Sequence, residues 1–399
     1  MSQSKKDLVS VLGAAIGKKY VLTDQESLEF YSMDVYRSIE VPIAILQPGS
    51  VEELQEVVRV ATGLDVAVVA RGGGASYTDG YLPTTSESVI IDTTRLNKIV
   101  EINEEDMYVI VESGVTWAEM YEALSAKNLR TPFWGPFSGL KATVGGSTSQ
   151  NSLSMGTSAY GGSPESILCY DIVLPHGELL KTGSSAMKNS QPFFRHYGPD
   201  LTGLFSGDAG ALGVKARITL RLIRHPSHTL TCSFGFKDYA SMSQGMAAAA
   251  REQSVSSNWG LDPQLQQGQL GSTTAKDAIQ AAFAVLRTTR NPFEAIIQLG
   301  KMALAGKRFL TGFDYSAHFV VEGYSTAEVK SKLAQTRKAV GPHGTEIANT
   351  IPTVLGAMPF MELYPILGPQ GERWVPMHGI VSFSKMQALH DSLMALYEE

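Results

Sequence analysis

The stretch VAVVARGGGASYTDG, residues 66 to 80, sets the first constraint on the fold. Its opening apolar run reads as a buried strand, and three consecutive glycines follow directly at the carboxyl end. A glycine loses more backbone freedom on folding than any other residue, so three in a row are a costly way to make one turn. Two readings stand at this point. The run is a plain tight turn, or its bare amides curl into a nest for an anion, with Arg71, Ser76 and Tyr77 beside it. The sequence is neither GxGxxG opening a helix nor GxxxxGK[ST], so neither the dinucleotide fingerprint nor the Walker phosphate loop applies.

The residues before the loop complete a β-α-β unit. IAILQ (43–47) reads as a strand. Ser50 then caps a helix, with Glu53 three positions on and Leu54, Val57, Val58 and Ala61 on one apolar face. Further strands are expected at 88–92, 99–103 and 107–114, and a helix at 116–128. From Thr131 to about Ser163 the periodicity disappears and Gly, Ser, Thr and Asn accumulate, notably in ATVGGSTSQNS. This reads as a long irregular loop, and such loops in compact domains are usually functional. ILCYDIVLP and ELLKTG read as a hairpin turning at His176–Gly177, DLTGLFSG as a short helix, and VKARITLRLI as a strand ending near Arg224. From about 229 the pattern changes. Strands TLTCSFGF, SAHFVVEG and WVPMHGIVSF alternate with helices, which predicts a second α+β unit built from repeats.

Composition narrows the function classes. The 399 residues carry a net charge of −6 and no basic stripe, which excludes a nucleic-acid partner. The two cysteines, Cys169 and Cys232, show no CxxC or Cys/His spacing, which argues against a disulfide framework and a structural zinc site. The histidines at 196, 225, 228, 318, 343 and 390 have no mutual metal spacing. Near the start, Lys18 and Lys19 stand where a signal peptide needs small residues, and Leu8, Leu12 and Ile16 recur at helical spacing, as on a surface helix. No apolar stretch is long enough to span a bilayer, and a cytoplasmic protein is the expectation.

Four motifs occur in order: RGGGASYTDG, GPFSGLKATVGGSTSQNS, AYGG with DIVLPHGELLKTG, and DLTGLFSGDAGALGVKARITLRL. Together they resemble the FAD-binding domain of the p-cresol methylhydroxylase and vanillyl-alcohol oxidase superfamily, over residues 40 to 225. The resemblance implies an α+β fold. A two-part FAD-binding domain would span 1–225, with a helical lead-in over 1–40. An α+β substrate (cap) domain would span 226–399. This domain looks incomplete, because relatives continue into a further segment that returns to the FAD domain. An exposed apolar patch is expected where that segment packs.

The resemblance also assigns residues. Arg71, Gly72, Gly73, Gly74, Ala75, Ser76 and Tyr77 would cradle the FAD pyrophosphate. Thr143, Gly145, Gly146, Ser149 and Ser152 would follow the cofactor, Tyr160 and Gly161 would edge the flavin, and Gly213, Val214 and Ile218 would lie by the adenine. Several relatives carry a histidine bonded to the flavin where this chain has Ala75, so the FAD is expected to be non-covalent at this loop. The implied activity is dehydrogenation of an alcohol or alkylphenol-type, aromatic substrate by hydride transfer to flavin N5. His378 is the candidate proton acceptor and Arg373 the candidate partner of an anionic group, while Trp374 and Trp134 read as packing more than as substrate walls. The HxGDGNxH metal motif of glycolate and D-lactate dehydrogenase-type members is absent, so no metal site is assigned. A 2-hydroxy acid dehydrogenase and a flavin-binding subunit inactive alone stand as the alternatives. The electron acceptor is oxygen, a quinone or a cytochrome, and a homo-oligomer or second polypeptide is the open partner.

Overall fold

The computed structural model describes residues 3–35, 37–266, 312–360 and 379–398. Short apolar runs build the first sheet, although the run at 67–70, expected to be buried, lies at the sheet edge and is only partly covered. β1 (Val21–Leu22), β2 (Ala44–Leu46), β3 (Ala67–Arg71) and β4 (Ser88–Asp92) lie in the order β1-β2-β4-β3. β2 and β3 both pair parallel with β4. Parallel strands need cover on both faces, and AIL and SVIID are accordingly buried at every position. The cover comes from α1 (Gln3–Ile16), α2 (Gln25–Tyr31) and α3 (Val51–Gly63). Leu8, Leu12 and Ile16 of α1 join Leu54, Val57 and Val58 of α3 in one core, and Leu28 of α2 packs with Ile45 and Ile90 in another. The start of α3 follows the sequence reading with one change. Ser50 Oγ accepts from the Glu53 amide at 3.1 Å, but the Glu53 carboxylate reaches back one residue further, to the Gly49 amide at 2.7 Å.

The second sheet is antiparallel. It comprises β5 (Ile99–Asn103), β6 (Tyr108–Glu112), β8 (Ile167–Val173), β9 (Leu179–Lys181) and β10 (Val214–Arg221), in the order β5-β6-β10-β8-β9. Between β6 and β8 run α4 (Trp117–Ser125), closed by a Thr116–Glu119 capping box, and β7 (Leu129–Arg130), which pairs with β11 (Ile223–Arg224). The expected loop at 131–163 is a correction. It contains α5 (Val144–Ser149), capped by Thr143, and α6 (Thr157–Tyr160). The glycines of α5 conceal it, since they lower helix propensity. They are there for contact: a Cβ on Gly145 would stand 2.6 Å from that of Ser113. Asp200 caps the next short helix, α7 (Leu201–Leu204).

From residue 228 the described residues run β-α-β-β-α-β. The elements are β12 (His228–Phe236), α8 (Tyr239–Arg251), β13 (Ser257–Leu261), β14 (Tyr315–Gly323), α9 (Thr326–Val340) and β15 (Thr345–Ile347). The strand order is β13-β14-β12-β15. The repeated unit was legible, but β13 and β15 were not expected. Strand alternation sends Ala317, Phe319 and Val321 into a core shared with α8 and α9. The intervening Ser316, His318 and Glu322 face the other way. α10 (Thr350–Ala357) and α11 (Met386–Glu398) follow. The expected strand WVPMHGIVSF falls partly outside the described residues, and its described part, 379–383, forms no strand. Ile380 there is 79% exposed, and α11 buries none of its residues. Exposed apolar side chains also include Phe193, Phe194, Tyr197 and Leu204. Both cysteines are buried and free. Among the described residues no helix is long and apolar enough to cross a membrane.

The third sheet carries two buried polar groups, one of which ties it to β7. Arg130 of β7 forms two hydrogen bonds to the Glu322 carboxylate of β14, at 2.7 and 3.0 Å, with side chains 1% and 8% exposed. Burial pushes the Glu322 carboxyl up, but the Arg130 charge and hydrogen bonds outweigh it and hold the group below its ordinary range. His318 is completely buried, with Nδ1 2.9 Å from Ser233 Oγ and Nε2 3.1 Å from Ser316 Oγ. Burial lowers its pKa from 6.5 to about 3, so the folded protein holds it neutral.

Glu322→Gln leaves Arg130 buried without a counter-charge. Urea unfolding is expected to show a loss of about 3–5 kcal/mol, and Arg130→Met/Glu322→Leu is expected to recover most of it. His318 predicts a pH dependence. Below pH 6.5 the unfolded chain binds a proton that the folded chain refuses, so stability falls as pH drops from 6.5 towards 3. The contribution is about 1.4 kcal/mol per pH unit at most, and His318→Gln should flatten the stability–pH curve between pH 6 and 4 by up to about that amount.

Candidate functional site

A cavity of about 490 Å³ opens beyond the carboxyl ends of β3, β4 and β6, where Arg71, Thr93 and Ser113 line it. Crevices at strand carboxyl ends are where open α/β sheets hold ligands. The whole Arg71–Tyr77 run forms wall, as do Thr143, Gly145, Gly146, Ser149 and Ser152. Gly213 and Val214, where β10 begins, also line it. Thus the two glycine-rich motifs, some seventy residues apart in sequence, meet in one place.

The reason for the glycines is visible. A methyl group on Gly73 would overlap the Lys141 carbonyl, and one on Gly72 would overlap Thr143 Oγ1. Only Gly74 of the three has a left-handed backbone, at φ 67°, and a side chain there would strike the Arg71 guanidinium. The triple glycine is therefore not simply a turn. Gly73 lets one backbone lie against another, Gly72 admits the Thr143 side chain, and Gly74 lets the chain bend around Arg71.

Arg71 is only 8% exposed. Its guanidinium lies 4.7 Å from the Tyr31 ring centroid and 5.3 Å from that of Tyr81. Its Nε is buried without a hydrogen-bond partner, and among the described residues no carboxylate pairs with it. Aromatic faces offset part of the desolvation of a cation, but a buried unpaired charge is costly. An anionic ligand in the cavity would supply what is missing. A different arrangement holds Lys215, also on the wall. Its ammonium meets Asp208 Oδ1 at 2.6 Å, both side chains being 2% exposed. Burial pulls the Lys215 ammonium below its ordinary value while Asp208 opposes the shift. Asn151 and Ala209, on the same wall, both hold left-handed backbones at φ 52°, the kind of local strain that collects at binding sites.

Three assigned residues lie elsewhere. Ile218 is wholly buried in the core of the second sheet, and neither Tyr160 nor Gly161 lines the cavity. Tyr160 instead sits by Arg130 and Glu322; burial raises its pKa and the Arg130 charge pulls it back. Trp134 is buried, stacked on Tyr121 and beneath Arg130, as packing. Arg373, Trp374 and His378 lie outside the described residues. The sequence reading missed Thr93, Ser113, Gln150 and Lys215 on the wall. Lys215 left no signal of its own, since Arg217 and Arg221 stand in the same strand. Gln150 also lay within a quoted motif, and its Oε1 accepts from Thr78 Oγ1 at 3.0 Å, joining the two loops.

Residues 42–183 match the family described as FAD binding domain. This segment is thus similar to an FAD-binding domain. The match bears out the resemblance read from the glycine motifs, and FAD is the cofactor it supports. The chain is 30% identical over 237 residues to the mitochondrial D-lactate dehydrogenase (cytochrome) of Arabidopsis thaliana, covering 58% of this chain and 40% of that protein. It is 30% identical over 199 residues to glycolate oxidase subunit GlcD of Bacillus subtilis, covering 49% and 40%. The matched stretch thus spans less than half the length of these curated relatives. Among solved structures, p-cresol methylhydroxylase with substrate bound superposes with a TM-score of 0.70 at 19% identity, covering 94% of this chain and 71% of that one. Alkyldihydroxyacetonephosphate synthase superposes with a TM-score of 0.67 at 17% identity, covering 88% and 63%. These two likenesses establish the fold around the FAD-binding domain.

The close approach at Gly73 makes a direct prediction. Gly73→Ala is expected to cost about 3 kcal/mol or more in thermal unfolding, because the clash is with backbone. Gly63→Ala, at an exposed helix position with nothing within 4 Å, is expected to be neutral or stabilising.

Proposed function

We propose that the chain holds FAD non-covalently in this cavity and serves as an FAD-dependent dehydrogenase or oxidase of a small alcohol-type substrate. The observation that carries the reading is Arg71, a buried and unpaired cation on the wall of a glycine-lined cavity within an FAD-binding domain. Bound FAD supplies the hydride acceptor, N5 of its ring.

The chain's residues do the rest. Arg71 neutralises the diphosphate, and Gly72–Ser76 let bare backbone approach it. Ala75 has no side chain able to bond to the ring, which supports a dissociable cofactor. His378 is assigned the substrate hydroxyl proton, taken on an imidazole nitrogen, since imidazole changes charge near neutral pH. Arg373 is assigned to an anionic group of the substrate. Phe137 lies between the cavity-lining residues Pro136 and Ser138, and its ring packs edge-on against Trp259, 6.3 Å between centroids. This aromatic pair supports an aromatic alcohol or alkylphenol as substrate. A second reading, a 2-hydroxy acid, is favoured by the names of the curated relatives, D-lactate dehydrogenase and glycolate oxidase.

Absorbance spectra before and after acid precipitation test the cofactor. Flavin peaks should appear and move to the supernatant. Colour held in the pellet would contradict a dissociable cofactor, and a chain that takes up no added FAD would overturn the reading. Arg71→Met is expected to weaken FAD binding about 10-fold or more. Anaerobic bleaching of the flavin by 4-alkylphenols and benzylic alcohols, and not by D-lactate or glycolate, is expected for the first substrate reading; the reverse pattern selects the second.

A further inference from the structure

Ser113 stands one residue beyond β6, and its backbone is fixed on both sides. Its amide donates to the Ala216 carbonyl at 3.0 Å, and its carbonyl accepts from the Gly145 amide at 3.0 Å. It is therefore clamped between β10 and the first turn of α5. The residue lines the cavity and is 2% exposed, and its buried Oγ makes no hydrogen bond. A buried hydroxyl without a partner costs stability, and most such groups in native proteins are satisfied. Its neighbours do not supply the partner. The adjacent Thr93 hydroxyl donates to the Arg71 carbonyl. No side chain intervenes at Gly145, whose missing Cβ is what admits Ser113 to this position. Arg71 Nε is a second orphaned donor at the same cavity. Two buried donors, one of them cationic, border a cavity and await an acceptor.

We propose that Ser113 is a cofactor-contacting residue whose hydroxyl donates a hydrogen bond to an oxygen of the bound FAD diphosphate. The inference rests on the FAD reading above and adds a residue to it. It carries a signature that a packing role does not: the hydroxyl is a burden to the ligand-free chain and an asset to the loaded one.

The test uses the full chain and two readouts, the FAD dissociation constant from quenching of flavin fluorescence and the melting temperature without FAD. Ser113→Ala is expected to raise the FAD dissociation constant about 10-fold while the ligand-free melting temperature stays unchanged or rises. Competition by ADP, which carries the diphosphate, should weaken by the same factor. Ser113→Cys, a weaker donor of similar shape, should fall between the two. An unchanged FAD affinity in Ser113→Ala, with the wild type binding normally, overturns the role of Ser113 and leaves the FAD reading intact. A weakened affinity together with a lowered ligand-free melting temperature also overturns it, because Ser113 then acts through packing. A wild-type chain that binds no FAD overturns both.

Discussion

The Gly73 backbone lies so near the Lys141 carbonyl that no side chain fits between them. This contact brings the loop after β3 against the segment leading into α5, and the cavity exists because these two pieces of backbone meet. Everything else at the site is arranged around them. Thr143 both packs against Gly72 and caps α5, accepting from the Gly146 amide at 3.2 Å. Gly145 brings α5 onto Ser113 at the end of β6. Gln150, which closes α5, touches Gly80 and accepts from Thr78, so the far side of the first loop is held as well. Glycine therefore serves contact before it serves conformation. Only one of the three consecutive glycines needs its left-handed freedom, and the other two are set by what they touch.

A second constraint acts at longer range. Arg130 and Glu322 are separated by 192 residues, and their two hydrogen bonds join the β7–β11 ribbon to the third sheet. The pair is well formed, but desolvating two ions offsets most of its attraction, so its net stability is modest. Its consequence is for arrangement. Once Arg130 is buried, only a placement that delivers Glu322 to it is tolerable, and β14 is thereby fixed against the ribbon. Ser257 Oγ, accepting from the buried Gly156 amide at 2.8 Å, supports the same placement from β13. The Phe137–Trp259 contact then sets an aromatic pair beside Pro136 and Ser138 of the cavity wall.

Much of this was legible in the sequence, for identifiable reasons. The parallel strands are short apolar runs with turn residues at both ends, and α3 carries its cap and a one-sided apolar face. Repetition of strand and helix after residue 228 announced a further α+β unit, but not its strand order. What escaped notice was encoded in contact rather than in pattern. α5 was concealed because VGGSTS has poor helix propensity and owes its shape to a Thr143 cap and a tight fit on Ser113. β13 and β15 are short pieces whose pairing partners, β14 and β12, lie far along the chain. Ile218 was assigned to the cofactor with its neighbours Gly213 and Val214, but alternation along β10 turns its side chain into the core. Ser113 gave no local signal, since its significance lies in what it lacks.

That lack links stability to function in this fold. The wall carries an unpaired guanidinium nitrogen, an unpaired hydroxyl and two non-glycine residues with left-handed backbones. Each costs the ligand-free chain free energy, and marginally stable proteins hold few such defects without a return. An anionic, hydrogen-bond-accepting ligand would repair the first two together, so it would not merely add contacts to a finished structure. It would relieve costs already incurred in folding, and that relief would appear as binding free energy. The same logic separates this cavity from the Arg130–Glu322 junction. Arg130 there also has a buried Nε without a partner, but its terminal nitrogens are engaged by a carboxylate of the chain itself, and no cavity adjoins it among those described. Among the described residues Arg71 has no carboxylate partner, and it borders an open cavity. The distinction between a buried cation that organises the fold and one that awaits a ligand rests on which of the two has its counter-charge within the chain.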